Sequence, residues 1–455
     1  MKDEILAYAQ GEAYPFHMPG HKRNIKDGVF PYQLDLTEID GFDNLHHPEG
    51  YIKQIEEKAA EIYRAKRAFL LVNGATCGIL AAIKAATMRG DKVIIARNCH
   101  TSVFHAVELL GLKPEFIMPE RAASDIFGCV NPVKLEKLLS DNPDAKLVVI
   151  TSPTYEGICS DVDSIAGICR EKGVKLFVDE AHGAHFPFHD DFPNSAICCG
   201  ADISVVSLHK TMPAMTQTAL LLTGDSEVIQ SLQTALSIFQ TSSPSYVLMS
   251  SIETCLTTKW DFDSYIKRIR KLEAAAADMK RLKLLFRDKR DFSYDIGKLV
   301  ISTQKADIGG IEFAKILRKK YKIEVEMAAY GYIIAMTSVC DTDEGFERLI
   351  RALLEIDSSC KAPDGKNELE SVFSLPERRL FPFEVVAIRA IQFCDAQGFV
   401  SAEDIFAYPP GIPIIVKGEV LSPEIIGLVN RLYENGVNVI SSEASFPGSI
   451  LVADL

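Results

Sequence analysis

Short apolar runs alternate with helix-like segments along residues 60–225, and this alternation constrains the fold more than any other feature of the chain. The segments between several runs, such as GILAAIKAATMRG and SIAGICREKG, have helical patterns. Nearly continuous apolar strands separated by helices are typical of a mostly parallel sheet that is covered on both faces. We therefore predict an α/β fold, with strands at AFLLVNG, KVIIARN, KLVVITSP, VKLFVDEA, DISVVSLHK and TALLLTG.

The last two of these runs differ from the others. Too few residues separate them for a helical crossover, so we expect this pair to be antiparallel.

Polar residues follow five of the predicted strands, at the point where each strand should end. In open α/β sheets ligands bind at the carboxyl ends of the strands, because those ends meet at one edge. We therefore predict one polar site built from distant parts of the chain. Its segments are 73–76 (NGAT), 98–100 (NCH), 152–155 (SPTY), 179–182 (DEAH) and 207–210 (SLHK).

The rest of the chain predicts two smaller units. Residues 262–290 have the pattern of one long amphipathic helix, and residues 291–355 resemble a small α+β unit. The prolines of YPPGIPIIVKGE, residues 408–419, argue against regular structure there. We expect an N-terminal arm and large domain at 1–265, a linking helix and small α+β domain at 266–365, and a C-terminal domain at 366–455.

Composition excludes several classes of protein. The eleven cysteines are an odd number without a C-x-x-C pair, which favours free thiols in a reducing compartment. A net charge of −13 argues against a nucleic-acid partner. No apolar run could span a bilayer, and the start MKDEILAYAQ lacks the features of a secretory signal. We expect a cytoplasmic protein without a membrane or nucleic-acid partner.

Lys210 is the only lysine or arginine in the apolar and hydroxyl-rich stretch 201–224. A buried ammonium is costly, and a desolvated lysine therefore loses its proton more readily. The resulting amine can attack an aldehyde, and pyridoxal phosphate is the commonest aldehyde partner. That cofactor also needs an acid at its pyridine nitrogen, donors for its phosphate and a flat group against its ring.

The strand ends supply a candidate for each of these needs. Asp179 can keep the pyridine nitrogen protonated, and the His100 ring can stack on the cofactor. Ala75 and Thr76 open a helix whose free N–H groups suit a phosphate, and Ser207 can add a hydroxyl.

Eight motifs, taken together, resemble the ornithine/lysine/arginine decarboxylase family in its short form. The resemblance implies an aspartate-aminotransferase-like fold of type I. Its large domain has three α/β/α layers and binds pyridoxal phosphate, and smaller α+β C-terminal domains follow. The motifs are PFHMPGHK (15–22), NGATCG (73–78), RNCHTS (97–102), TSPTYEG (151–157), VDEAHGAH (178–185), SLHKTMPAMTQTALL (207–221), TSSPSY (241–246) and YPPGIPIIVKGE (408–419).

The same resemblance implies catalytic roles for four residues. Lys210 would be the Schiff-base lysine, and Asp179 would pair with the pyridine nitrogen. His182 would adjoin the cofactor, and His209 would lie beside it as a possible proton donor.

Further residues would bind the cofactor. His100 would stack on the ring, while Thr76 and Ser207 would bind the phosphate. Ser243 and Ser245 would reach the phosphate of a neighbouring subunit, since sites of this fold form at a dimer interface. One departure is Thr101, where we expect a lysine, and it bears on the choice of substrate.

The implied reaction is decarboxylation of arginine, lysine or ornithine to carbon dioxide and agmatine, cadaverine or putrescine, in a homodimer or larger homo-oligomer. An aminotransferase or aldolase of the same fold, and a non-catalytic homologue that binds the cofactor, are the alternatives. A nucleotide-driven helicase is excluded, because neither Gly-Lys pair belongs to a phosphate loop.

Several side chains have two interpretations. His182, His185 and His189 have the spacing of metal ligands. We expect no metal there, because His182 is better placed at the cofactor. Glu324 and Glu326 are expected to be strand-edge residues, with reception of a cationic substrate as the alternative. Tyr155 either lines the site or packs in the core.

Overall fold

The computed structural model describes residues 12, 14–17, 20–22, 37–39, 42–123, 126–287, 292–363, 375–407, 411–434, 436–443 and 446–455. The strands in these ranges are β1 (Tyr14–Phe16), β2 (Arg67–Leu71), β3 (Lys92–Ala96), β4 (Lys113–Ile117), β5 (Arg121–Ala123), β6 (Ile126–Phe127), β7 (Ala145–Thr151), β8 (Ile158–Cys159), β9 (Lys175–Asp179), β10 (Ile203–Val206), β11 (Ala219–Thr223), β12 (Lys283–Leu284), β13 (Ser293–Tyr294), β14 (Lys298–Ser302), β15 (Ile323–Val325), β16 (Met327–Ala328), β17 (Tyr332–Met336), β18 (Ile388–Gln392), β19 (Ile405–Ala407), β20 (Ile412–Ile415), β21 (Val439–Ser441) and β22 (Ser449–Ala453).

The α-helices in the same ranges are α1 (Tyr51–Tyr63), α2 (Gly74–Ala86), α3 (Thr101–Leu110), α4 (Pro132–Asp141), α5 (Val162–Lys172), α6 (Leu208–Thr211), α7 (Ile229–Phe239), α8 (Tyr246–Thr257), α9 (Phe262–Ala276), α10 (Gly310–Tyr321), α11 (Asp343–Ser359) and α12 (Pro423–Glu434). None of these helices is both long and apolar enough to cross a membrane.

A seven-stranded sheet in the order β2-β11-β10-β9-β7-β3-β4 forms the centre of the large unit. The pairs from β10 through β9, β7 and β3 to β4 are parallel, and β11 is antiparallel to both of its neighbours. The predicted mostly parallel sheet and the predicted antiparallel pair β10–β11 are therefore confirmed.

Both faces of this sheet are covered, which confirms the predicted three layers. Successive residues of a strand point to opposite faces. Accordingly, Leu220 and Leu222 belong to one hydrophobic cluster and Leu221 to another. Helix α2 lies directly on the sheet, because a Cβ at Gly78 would come within 2.6 Å of the Leu71 side chain. This close packing fixes the start of α2 at the carboxyl edge of the sheet.

The seventh strand, β4, was not predicted. Its sequence KPEFI combines two charges with Pro114, which has no N–H to donate. Such a sequence is tolerated because β4 is the edge strand, next to β3 alone.

The small unit is α+β, as predicted, and its four-stranded sheet has the order β12-β14-β17-β16. The N-terminal strand β1 pairs in parallel with β15, so this part of the predicted arm joins the small unit. The helix predicted over 262–290 is wrong in length, because α9 ends at Ala276. The Asp357 carboxylate accepts hydrogen bonds from the backbone N–H groups of 280, 281 and 282, and it turns the chain there.

The C-terminal unit is anchored to the large sheet by Arg97. The Arg97 side chain is fully buried and donates to Glu419 Oε2 at 3.0 Å and to the Pro413 carbonyl at 2.8 Å. Strand β20 contradicts our expectation of irregular structure in this segment. Pro413 is tolerated because β20 is an edge strand with a register shift at this point.

Some predictions fall outside the described residues. These are the motif positions 18–19 and 408–410, most of the arm before 14, and the division between 365 and 366. The other predicted division, between 265 and 266, falls within α9. The domain boundaries therefore stay predictions.

Candidate active site

A cavity of about 570 Å³ opens at the carboxyl edge of the central sheet. Residues from all five strand-end segments line it, together with residues from the small and C-terminal units. A larger cavity of about 860 Å³ lies elsewhere, and none of the described residues that line it is a lysine or histidine. The chemistry expected of a reactive amine therefore belongs to the smaller cavity. The lining residues predicted as site residues are Ala75, Thr76, His100, Asp179, His182, Ser207, His209 and Lys210.

Lys210 lies in the short helix α6, directly after β10, and its partly buried side chain reaches the cavity. Its Nζ lies 3.1 Å from Nε2 of His182. Burial lowers the pKa of Lys210, while the carboxylates of Asp179 and Glu326 act in the opposite direction. The neutral amine form of Lys210 is therefore more populated than that of an exposed lysine.

Asp179 ends β9 and is buried. Its Oδ1 accepts one hydrogen bond, at 3.1 Å, from the backbone N–H of Ala181. Burial raises the pKa of Asp179, and the positive charge of Lys210 opposes this effect. A buried carboxyl with a single N–H donor is suited to a cationic partner inside the cavity.

His182 is buried between two lysines. Its Nε2 faces Lys210, and its Nδ1 lies 2.7 Å from Nζ of Lys298, a residue of the small unit. The Tyr155 ring packs edge-on against the imidazole, with the ring centres 5.0 Å apart. Burial, followed by the charges of the two lysines, lowers the pKa of His182 well below 6.5, so the imidazole is neutral.

The start of α2 lies at one end of the cavity. No side chain caps this helix, and the first N–H groups of a helix have no partner within it. The N–H groups of Ala75 and Thr76 are in this first turn. Ser207 adds a buried hydroxyl whose Oγ has no hydrogen-bond partner in the described part of the chain. These donors suit a phosphate.

Two further histidines line the cavity. His100 caps α3, and its Nδ1 accepts the Ser102 N–H at 3.2 Å. Burial lowers the pKa of His100 to about 4. His209 Nδ1 lies 3.0 Å from the Thr218 carbonyl, and a carbonyl can only accept, so Nδ1 carries the proton. Burial also lowers the pKa of His209.

Ser243 and Ser245 do not line this cavity. Ser245 caps α8 by accepting the Leu248 N–H at 3.4 Å, and the exposed Ser243 bonds through its backbone to Thr241. Their expected contact is with a neighbouring subunit, and it stays a prediction.

The spaced histidines have other partners. His185 lies 3.0 Å from Asp295, and His189 lies 3.3 Å from Asp263. Among the described residues no group of three or more potential ligands could hold a metal ion.

The sequence analysis did not identify Lys298, and it preferred a strand-edge role for Glu326 over a place in the site. Glu324 is ion-paired with Arg318 outside the cavity, as expected of a strand-edge residue. Glu326, however, lines the cavity and accepts a hydrogen bond from Tyr155 Oη at 2.5 Å. Lys298 begins the apolar strand β14, so the argument applied to Lys210, a lone cation beside apolar residues, would have singled it out.

The donor set of the cavity fits pyridoxal phosphate. Lys210 offers an amine for the aldehyde, Asp179 a carboxylate for the pyridine nitrogen, and the start of α2 the N–H groups for the phosphate. Among the described residues the buried Ser207 hydroxyl has no hydrogen-bond partner, and this most directly indicates a ligand group at the phosphate end.

Comparison with known proteins gives the same result. A family model for the major domain of Orn/Lys/Arg decarboxylases matches residues 1–282. The arginine decarboxylase of Bacillus subtilis (strain 168) is 32% identical over 97% of this chain and 95% of its own length.

Solved structures show the fold. A lysine decarboxylase from Francisella novicida has a TM-score of 0.77 at 19% identity, over 90% of this chain and 72% of its own. An alanine–glyoxylate aminotransferase from Nostoc sp. has a TM-score of 0.54 at 13% identity, over 72% of this chain and 100% of its own. The fold is therefore type I, as predicted.

The matched family and the similar sequence decide between the enzyme classes that the sequence left open. Family membership favours a carboxy-lyase over an aminotransferase, an aldolase or a non-catalytic homologue. The chain belongs to the Orn/Lys/Arg decarboxylase family and is a pyridoxal-phosphate-dependent amino-acid decarboxylase of fold type I.

Proposed function

We propose that this enzyme decarboxylates a basic amino acid to carbon dioxide and the corresponding amine, a precursor of polyamines. The candidate pairs are arginine and agmatine, lysine and cadaverine, and ornithine and putrescine. Arginine is our first choice, because the relative similar over nearly the whole chain is named arginine decarboxylase.

The observation that carries this proposal is the position of Glu326. Its carboxylate lines the same cavity as Lys210 and is partly exposed to it. The other acid on this side of the cavity, Glu156, is buried and bonded to Tyr332, and burial raises its pKa. Glu326 is therefore the carboxylate best suited to a cationic side chain, and a guanidinium can bind it with two parallel hydrogen bonds.

The residues of the sheet edge have separate tasks. Lys210 captures the cofactor aldehyde through its neutral amine. Asp179 holds the proton of the pyridine nitrogen, and bound pyridoxal phosphate then supplies the electron sink for cleavage of the Cα–carboxylate bond. His182 lies against Lys210 and orients its amine.

Either Lys210 or His209 returns the proton to the substrate, and each must first be in its protonated form. The one ring proton of neutral His209 is bound to the Thr218 carbonyl. Its Nε2 therefore has no proton to give unless the ring is protonated, which burial disfavours.

The remaining predicted residues bind the cofactor without taking part in proton transfer. His100 packs against the ring, and Ala75, Thr76 and Ser207 bind the phosphate. Ser243 and Ser245 complete this phosphate site across a homodimer interface, and larger homo-oligomers would contain the same pair.

The test is a product assay with arginine, lysine and ornithine, each supplied with pyridoxal phosphate. We expect carbon dioxide and amine in equal amounts, with arginine having the highest kcat/KM. Keto acid formed in proportion to the substrate consumed would contradict decarboxylation, and turnover of neutral amino acids alone would contradict the basic substrate.

A further inference from the structure

His182 makes a hydrogen bond to a different lysine at each ring nitrogen. Nζ of Lys298 lies 2.7 Å from Nδ1, and Nζ of Lys210 lies 3.1 Å from Nε2. Lys298 is only 1% exposed and His182 only 6% exposed, so water cannot readily separate the three groups. The chain of atoms joins the small unit to the sheet edge across 116 positions of sequence.

The number of available protons limits which of the two lysines bonded to His182 can be charged. A neutral imidazole carries one N–H and one lone pair, and an ammonium can only donate. If both lysines were ammonium groups, one of them would face the ring N–H with no lone pair to accept it. One of the two lysines must therefore be a neutral amine whenever both hydrogen bonds are present.

Burial lowers the pKa of Lys298 to about 8, so the ammonium is still its main form at pH 7. The charges of Asp295, Glu326 and Glu156 oppose this lowering, while that of Lys210 adds to it. Asp295 stays ionised, because His185 and Lys298 lower its pKa. The Lys298 Nζ also lies 5.5 Å from the centre of the Tyr155 ring, within reach of a cation–π contact.

Burial also lowers the pKa of Lys210, and Asp179 and Glu326 oppose that effect. Burial raises the pKa of Asp179 itself, so this carboxyl supports a neighbouring ammonium less than the ionised Asp295 does. The other groups that face His182 are His209 and His100, and burial lowers the pKa of both of them, so neither adds a lasting charge.

We propose that Lys298 is a positioning residue that fixes the proton of His182 on Nε2. The Lys298 ammonium donates to Nδ1, the Nε2–H then donates to the nitrogen of Lys210, and Lys210 is held as the neutral amine that captures an aldehyde. This inference rests on the proposed role of Lys210 and adds to it the residue that sets its protonation. Through Lys298, the small unit thus contributes to the capture of the cofactor aldehyde by Lys210.

The direct test is ¹⁵N NMR of the histidine side chains in the full chain freed of cofactor. The His182 signals are identified by their loss in His182→Asn. We expect a pyridine-type Nδ1 and a pyrrole-type Nε2 at neutral pH. The opposite tautomer would make Lys298 the neutral partner and would overturn the proposal. Return of the absorbance of the bound cofactor when pyridoxal phosphate is added back shows that the sample was folded.

A second test follows the rate of pyridoxal phosphate capture as a function of pH, by absorbance. Lys298→Met removes both the donor to Nδ1 and the neighbouring positive charge, and both losses favour ammonium at Lys210. We expect the midpoint of capture to move up by about one pH unit and capture at pH 7 to slow by about tenfold.

Two variants complete this experiment. Lys298→Arg keeps the charge and the donor, so we expect the pH midpoint of wild type to be restored. Lys175→Met removes a lysine at the opposite end of β9, where it is paired with Asp225, and should leave the midpoint unchanged. A purely structural role for Lys298 would slow capture equally at every pH, and that result would overturn the proposal.

The outcome is independent of the substrate. A chain with the expected tautomer and capture profile that released no carbon dioxide from any basic amino acid would contradict the proposed function and leave this inference intact.

Discussion

The cavity has two walls that differ in origin and in architecture. One wall is the carboxyl edge of the parallel sheet, where Asp179, His182 and Lys210 follow strands that are buried on both faces. The other wall belongs to the small antiparallel unit, where Glu326 lies between β15 and β16 and lines the cavity. Lys298, which begins β14 in the same unit, is buried and bonded to His182. In our proposals the sheet edge supplies the groups that act on the cofactor, and the small unit supplies charges that set protonation and recognise the substrate.

The largest expected effect is on the sheet wall, at Lys210. Lys210→Ala removes the amine that captures the aldehyde, so we expect kcat/KM to fall by about 10⁴-fold or more and covalent attachment of the cofactor to be lost. The measurements are decarboxylation rate and the absorbance of the bound cofactor. Lys58→Ala, on the surface next to Glu61, should retain normal values for both. Substantial activity in Lys210→Ala would mean that the sheet wall does not carry the chemistry.

A smaller loss is expected at Asp179. Asp179→Asn keeps the shape of the side chain but removes the charge that, in our proposal, holds the pyridine proton. We expect kcat to fall by about 100-fold or more and the cofactor to bind less tightly. Steady-state kinetics and a cofactor titration measure the two effects. Asp161→Asn is the matched control, because Asn also caps a helix well and Asp161 caps α5 without lining the cavity. Equal losses in the two variants would contradict the assigned role.

The small unit should affect binding more than rate. Glu326→Gln removes the charge that meets the cationic side chain, so we expect KM for arginine to rise about tenfold or more with kcat little changed. Glu324→Gln, two positions earlier and paired with Arg318 outside the cavity, is the control and should leave KM unchanged. If both variants behave alike, or if Glu326→Gln lowers kcat alone, the assignment of recognition to this wall is wrong.

Tyr155 touches both walls and gives the smallest expected effect. Its ring packs on His182, and its hydroxyl donates to Glu326 at 2.5 Å. Tyr155→Phe keeps the ring and removes one hydrogen bond, so KM for arginine should rise by less than about tenfold. A tenfold or larger fall in kcat in this variant would show that the hydroxyl serves the sheet wall instead.

The two walls also differ in how well the sequence predicts them. The sheet edge could be predicted, because its residues follow directly after long apolar strands and the ends of parallel strands must meet. Strand 113–117 was missed because a proline-containing edge strand lacks the apolar pattern. The turn that follows α9 is held by Asp357, which lies 75 positions from Leu282 and accepts a hydrogen bond from its N–H.

The small-unit wall could not be predicted in the same way. Lys298 and Glu326 are charged residues at the ends of strands, and from sequence alone such residues are expected to be exposed to solvent. What gives them a role is the packing of one unit against the other, which brings Lys298 to His182 and Tyr155 to Glu326. No local period or spacing encodes that packing. A lysine beside a fully apolar strand is the one local signal available.

The central claim is that, of the two lysines bonded to His182, Lys210 is the one that binds the cofactor. The direct measurement is borohydride reduction of the enzyme loaded with pyridoxal phosphate, followed by peptide mapping by mass spectrometry. The account predicts one stable adduct per chain, on Lys210, in wild type and in Lys298→Arg. An adduct on Lys298, or none at position 210, would contradict it.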